Sequence, residues 1–361
     1  MMKAVCSLGL LAWMLAAWIG VAVSVFVAAG QDTGIRVKAL PQRRLPVEAG
    51  QYSGIAFISG DQYAVVDDKL PGGGIVFFQL PMRKDGRIQT AAVRRSVPEA
   101  TLSAEGPHLD NEGVVYAGGK LYVSAERDQS IREYDLDGCP TGRSFAVPAD
   151  MGVSEMTDNA GFEALTYHAA TGSFWTTTEK PLKAEGNPSR LHRLQRFDSR
   201  FQPAERYLYQ TDEPSKSPEE ASSAQAYVYG ISALTALDDG RLIVLEREVY
   251  VPSGQARDIL RQSFARVKLY LVTPGGDPHR ILAKRLLYSF ETRISLRLTG
   301  LDIALANYEG MCLGPRLSDG RRCLVLIADS QAGMSHLAER LGRKQITGEY
   351  VKVILLEGEG V

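Results

Sequence analysis

The sequence predicts an all-β chain folded as a β-propeller, and three features carry that prediction. One short pattern is written five times: an acid or serine, an apolar strand, a turn, a second apolar strand, and a closing acid, in four of the five followed by a base. Most copies are followed by a further alternating strand, so that three or four antiparallel strands recur at intervals of about 50 to 75 residues. Strand-like segments also stand near both ends, Arg36 to Leu45 and Gly348 to Glu357, as a ring closed by joining its termini in one blade would need. Roughly 330 residues follow the first 29, chain enough for five or six blades. Six is the expected number, with five repeats visible and one too divergent to read. Packed β-sandwiches are the competing architecture, but only a propeller explains charged hairpin ends that repeat, because it brings equivalent residues of every blade to one rim.

Taken in order, residues 1–29 hold Lys3 and then an uncharged, largely apolar run from Ala4 to Ala29. That is an export signal. Val27-Ala28-Ala29 before Gly30 suits removal of a signal peptide, and the same run is long enough to stay as a membrane anchor. Either outcome leaves one domain, 30–361, working in the periplasm or outside the cell. The first repeat opens at Ser53 and closes at Asp67-Asp68-Lys69. The second runs from Glu112 through Gly118-Gly119 to Glu126-Arg127, and the third from Glu163 through Thr171-Gly172 to Glu179-Lys180. The fourth runs from Ser232 through Asp239-Gly240 to Glu246-Arg247, and the fifth from Glu309 through Asp319-Gly320 to Asp329. Glycine-containing turns between β-rich segments are the local signal for each hairpin. Between repeats, Asp212 to Gln225 and Pro252 to Arg266 read as long exposed loops, the second with one helical turn.

The chain is nearly neutral, with a formal net charge of −1. A nucleic-acid surface or a polybasic membrane patch is therefore not expected, and a membrane partner enters only if the N-terminal segment is retained. A monomer is expected. Cys312 and Cys323 fall out of register in the last hairpin and read as small buried residues, with Cys139 unpaired. There is no phosphate-binding loop, dinucleotide fingerprint or CxxC pair. The sequence around Ser232, GISAL, ends in leucine where a nucleophile elbow needs glycine. His108, His168, His192, His279 and His336 show no metal-ligand spacing; His108 stands nearest a candidate site, four residues before Glu112.

Antiparallel pairing sets the opening and closing residues of a hairpin side by side. Around a common axis the openings Glu112, Glu163 and Glu309 become candidate catalytic carboxylates. The closings Asp68, Glu126, Glu179, Glu246 and Asp329 become candidate oxygen ligands of a hard cation such as Ca²⁺. Lys69, Arg127, Lys180 and Arg247 follow closing acids and are candidates for binding a small anionic ester substrate. The competing expectation is architectural: acids and bases of neighbouring blades neutralise each other as ion pairs, with no metal. Tyr52, Tyr229 and Tyr308 near the openings suit packing or ligand stacking. Asn111, Asn159 and Asn307 would suit a lactonase-like calcium propeller.

The segments EGVVY with LYVSAER, FEALTY with FWTTTEK, GISALTALDDGRLIVLER and NYEGMCLGPRLSDGRRCLVLIADS resemble the phytase-like family, described as having esterase-like activity of phytase. The resemblance extends from about Ser53 to Glu357. It implies an exported β-propeller distantly similar to calcium-dependent alkaline phytases and hydrolysis of phosphate or other esters, although the acidic signature segment of the true propeller phytases is not found. Two classes of function are thus expected: an ester hydrolase with a carboxylate-held cation, or a non-catalytic propeller that binds a ligand or protein at its rim.

Overall fold

Five hairpins rich in β-branched and aromatic residues each recruit further strands, and the result is five antiparallel sheets. The computed structural model describes residues 33–47, 50–67, 74–98, 109–186, 188–297, 300–303, 305–330 and 348–361. Ahead of the first hairpin come β1 (Ile35–Ala39) and β2 (Arg43–Arg44). Blade one is β3 (Tyr52–Ser59), β4 (Gln62–Asp67), β5 (Gly74–Gln79) and β6 (Ala92–Pro98). Blade two is β7 (Asn111–Ala117), β8 (Lys120–Ala125), β9 (Ser130–Tyr134) and β10 (Pro140–Ser144). Blade three is β11 (Phe162–His168), β12 (Ser173–Thr178), β13 (Leu191–Phe197) and β14 (Pro203–Gln210). Blade four is β15 (Ala226–Ala236), β16 (Leu242–Val251), β17 (Phe264–Val272), β18 (Lys284–Arg297) and β19 (Gly300–Ile303). Blade five joins β20 (Asn307–Arg316), β21 (Arg322–Asp329) and β22 (Tyr350–Gly358) to β1 from the other end of the chain.

The first strands touch in a closed cycle, β3 to β7 to β11 to β15 to β20 and back to β3. They line a central channel. Burial follows from side chains alternating across each strand. In β16, Ile243 and Leu245 enter the core shared with blade five, while Leu242 and Val244 enter the core shared with blade three. Five cores of this kind separate the five pairs of neighbouring blades. Replacing Leu245, fully buried, by alanine would cost about 2 to 5 kcal/mol. Gly118 and Gly119, with φ of 56° and 79°, make the inner turn of blade two in a conformation that other residues seldom adopt.

The expected sixth blade is absent among the described residues. Blade four takes up the chain that another blade would have used: β15 to β18 are 11, 10, 9 and 14 residues long, and β19 adds a fifth strand. Closure by the two ends is as expected, with Ile35 opposite Gly358 and Ala39 opposite Ile354. The two long loops each hold a short helix, Pro218–Ser223 with Ser217 and Glu220 forming a capping box, and Ala256–Gln262. No helix among the described residues is long and apolar enough to cross a membrane, and residues 1–29 lie outside them.

Candidate functional site at the ring end of the channel

Each inner strand departs from regular pairing at one residue near its ring end. In blade one Tyr52 faces Asp67 and Gly54 faces Val66, so Ser53 is extra. The same bulge falls on Glu112 between Asn111–Ala125 and Gly113–Ser124, and on Glu163 between Phe162–Thr178 and Ala164–Thr177. It falls on Ser232 between Ile231–Glu246 and Ala233–Leu245, and on Glu309 between Tyr308–Ala328 and Gly310–Ile327. A bulge re-aims the side chain it carries. All five line one waist of the channel, whose free volume of about 10 Å³ holds about one water. The residue after each bulge is glycine or alanine because neighbouring inner strands nearly touch there. A Cβ on Gly54 would lie 2.4 Å from the Glu112 carbonyl oxygen, and one on Gly310 would lie 2.9 Å from that of Ser53.

The register also decides what closes each hairpin. Asp67, Ala125, Thr178, Glu246 and Ala328 hold the last paired position before the bulge, so in blades two to five Glu126, Glu179, Arg247 and Asp329 share the next one. Asp68 and Lys69 lie outside the described residues. In blade four this slot carries a base. Glu246, expected in the ring with the other closing acids, stands one residue earlier and faces away, because a shift of one residue flips a strand's side chain to the other face. Its carboxylate accepts from the Tyr209 hydroxyl and from the Asp212 backbone N–H at 3.0 Å, and pairs with Lys284 at 2.7 Å.

Arg247 fills the middle of the ring. Its side chain is 6% exposed and its Nη2 meets Glu179 at 2.6 Å and Glu163 at 3.3 Å. Its Nη1 pairs with Glu309 and donates to Asn307 Oδ1 at 3.2 Å, while the Asn307 amide donates to Glu309 at 2.8 Å. Blades three, four and five are therefore joined through one guanidinium. Burial disfavours that charge, but the Glu179, Glu163 and Glu112 carboxylates outweigh it and hold the arginine above its ordinary pKa. Both terminal nitrogens are engaged by these buried carboxylates. This is the ion-pair arrangement that competed with a metal ring.

Blade two differs. Carboxylate oxygens of Asp110, Glu112 and Glu126 all lie within 4.8 Å of one another. Two oxygens on one Ca²⁺ at 2.3 to 2.6 Å can be separated by up to about 5 Å, so this donor set fits a hard cation. Glu126 is held rigidly, its Oε1 accepting from the Gly161 N–H at 2.8 Å and its Oε2 from the Asn159 amide at 2.5 Å. The Asn159 amide also reaches Asp110 Oδ2 at 3.0 Å. Asp110 adopts φ 57°, a conformation aspartate tolerates better than most residues. Asn111, 1% exposed, leaves both amide atoms without a partner among the described residues, which adds a neutral oxygen next to the acids.

Arg127 is exposed, and Lys180 sits at the surface, pairing with Asp158 at 3.3 Å; neither points into the ring. His192 is buried, its Nδ1–H donating to the Thr178 carbonyl at 3.2 Å, and burial holds it down to about 4. His168 ends β11 and His279 belongs to a turn, and His108 and His336 lie outside the described residues. Tyr52 and Tyr308 are packed into interblade cores. Cys139, Cys312 and Cys323 are free thiols, and Cys312 faces Val325 rather than Cys323.

Two features escaped the sequence. Asp110 precedes its strand and follows no repeat. Glu349, 2% exposed just before β22, accepts from the Gly50 N–H at 2.7 Å and from the Ser330 hydroxyl, while its other oxygen has no partner among the described residues. Burial pushes this carboxyl up to about 8 against those two donors, and Asp329 and Asp67 push the same way.

A family model described as "Phytase-like: Esterase-like activity of phytase" matches residues 47–331. No curated protein matches the chain. Among solved structures it is similar to an endo-arabinase from Bacteroides thetaiotaomicron, at 12% identity over 85% of this chain and 94% of that one, with a TM-score of 0.42. It is also similar to the PQQ-bound aldose sugar dehydrogenase from Streptomyces coelicolor (11% identity, 90% and 98% covered, TM-score 0.41) and to a streptogramin B lyase (10% identity, 89% and 98% covered, TM-score 0.34).

Proposed function

From the premise that the chain belongs to the phytase-like family, we propose that it hydrolyses phosphate or other anionic esters at the ring end of its channel, outside the cytoplasm. The observation that carries this is the trio Asp110, Glu112 and Glu126, whose carboxylate oxygens lie within 4.8 Å of one another. These three would hold a hard divalent cation such as Ca²⁺. Such an ion supplies charge to an ester or phosphoryl oxygen and lowers the pKa of a bound water. The chain's own groups then have separate duties. Glu112 belongs to both the trio and the waist and would be the carboxylate best placed to accept a proton there. Arg247 is a positioning residue, fixing Glu163, Glu179 and Glu309 by ion pairs. Arg127 and Lys180, outside the ring, draw anions toward the mouth.

The test is metal analysis of the purified protein followed by a panel of phosphate and carboxylic esters with and without chelator. Hydrolysis lost to chelation, restored by Ca²⁺ and absent in Glu112→Gln is the expected result; hydrolysis indifferent to chelation would sink it. A second proposal, a non-catalytic binding propeller, is favoured by Arg247 itself, whose ion pairs close three blades' worth of the ring without a metal. No hydrolysis of any ester, with intact folding, would favour that alternative.

A further inference from the structure

Past the waist the channel widens, at the opposite end of the inner strands, into a funnel of about 410 Å³. Its wall is mostly apolar, with Phe57, Tyr116, Tyr167, Leu237, Met311 and Leu313 facing the space. Most polar groups here are already committed. His168 bonds Thr171 Oγ1 at 2.8 Å and the Asp238 carbonyl at 3.2 Å, the Asp238 carboxylate pairs with Arg316 at 3.2 Å, and Thr235 donates to the Met311 carbonyl at 3.2 Å. Arg322 is the exception. Half-buried in the funnel wall, it makes no hydrogen bond or ion pair with any described residue, and its Nε is fully enclosed. The buried groups closest to it in the wall carry no charge. Burial pushes the Cys312 thiol up to about 12, and it raises the Tyr63 hydroxyl, itself enclosed without a partner, well above the ordinary phenol range. A permanent cation against apolar walls is costly until an anion joins it.

We propose that this funnel is a binding site for a small organic anion, a carboxylate or sulfonate on an aromatic or branched aliphatic body, whose head pairs with Arg322 while its body packs on Phe57, Tyr116 and Met311. The volume lies within the ordinary span of small-molecule sites. The waist, with room for about one water, keeps an occupant of the funnel away from the ring acids, so this site is separate from the proposed hydrolytic one. Binding is measured on the purified protein by titration calorimetry with 1-naphthoate and with its neutral counterpart 1-naphthalenemethanol. The naphthoate is expected to bind about tenfold tighter or more, the usual worth of a charged hydrogen bond in an enclosed site. Arg322→Met is expected to erase that preference and leave the alcohol's affinity unchanged; Ala169→Trp, which fills the mouth, weakens both ligands; Glu112→Gln changes neither. Equal binding of the two ligands by the unmodified protein overturns the proposal without any variant. So does a preference that survives Arg322→Met, or one lost in Glu112→Gln.

Discussion

Blades two and four place different chemistry in the same slot. After the bulge, blade two closes its hairpin with Glu126 and blade four with Arg247, and the ring divides accordingly. On the side of blade four a single guanidinium gathers Glu163, Glu179 and Glu309 into a buried ion-pair cluster. On the side of blade two Asp110, Glu112 and Glu126 bring carboxylate oxygens within 4.8 Å of one another, and Glu126 accepts from the Gly161 N–H and the Asn159 amide. Crowded buried carboxylates raise one another's energy unless positive charge arrives. Blade four carries that charge covalently in Arg247, and under the proposed function a cation from solution would supply it at blade two.

The largest effect expected from breaking this contrast is in blade four. Arg247→Met leaves three carboxylates buried without their cation, and removal of one member of a buried ion cluster costs about 3 to 5 kcal/mol. Urea denaturation at neutral pH reads that loss as a lowered midpoint. Adding Glu179→Met to the first change removes a stranded charge and should recover part of the stability. Losses that simply add, or a single variant as stable as the parent, would mean that the guanidinium is not what holds blades three to five together.

A cation arriving in blade two gives the next effect. Ca²⁺ at about a hundred times its dissociation constant raises the unfolding free energy by about 2.7 kcal/mol. The thermal midpoint is expected to rise with Ca²⁺ and fall back with chelator in the unmodified protein. Glu126→Gln should abolish the response and Glu179→Gln should keep it, since Glu179 already answers to Arg247. A response that survives Glu126→Gln would place the cation elsewhere.

Much of this was legible before any coordinates. Hairpins with charged ends, repeated five times, announce a ring, and strand-like termini announce its closure. The openings Glu112, Glu163 and Glu309 do reach one waist. What the chain could not display is register. Glu246 and Glu126 look equivalent because each is an acid followed by a base, yet the bulge at Ser232 puts Arg247 opposite Glu126 in the ring and turns Glu246 outward. The clue lay in the small residue after each opening, Gly54, Gly113, Ala164, Ala233 and Gly310, which marks the bulge from which register must be counted. The blade number was overestimated because strand length is free to vary, and blade four spends its residues on length. Glu349 was invisible for another reason: Gly50, Asp67 and Asp329, which surround it, come near only when the two ends of the chain meet.

That seam between blades five and one supplies a third way of neutralising an acid, and with it the smallest of these effects. Beside Asp329, which shares the slot of Glu126 and Arg247, Glu349 is held at about 8 by burial, so at neutral pH it keeps its proton. Unfolded, it would titrate in the ordinary range near about 4.3. Between those values the folded chain binds the extra proton, and stability falls as pH rises. His192 opposes this in acid: held down to about 4 in the fold, it makes stability rise with pH from about 4 to about 6.5. Lys352, held down to about 8 by burial, again makes stability rise above that point. Thermal unfolding across pH 6.5 to 8 therefore isolates Glu349, where a loss of about 2 kcal/mol is expected. Glu349→Gln keeps the shape, cannot ionise, and should flatten the curve in that window alone. A decline that persists in Glu349→Gln would take the proton away from the seam and leave the guanidinium and the cation as the only devices the ring uses.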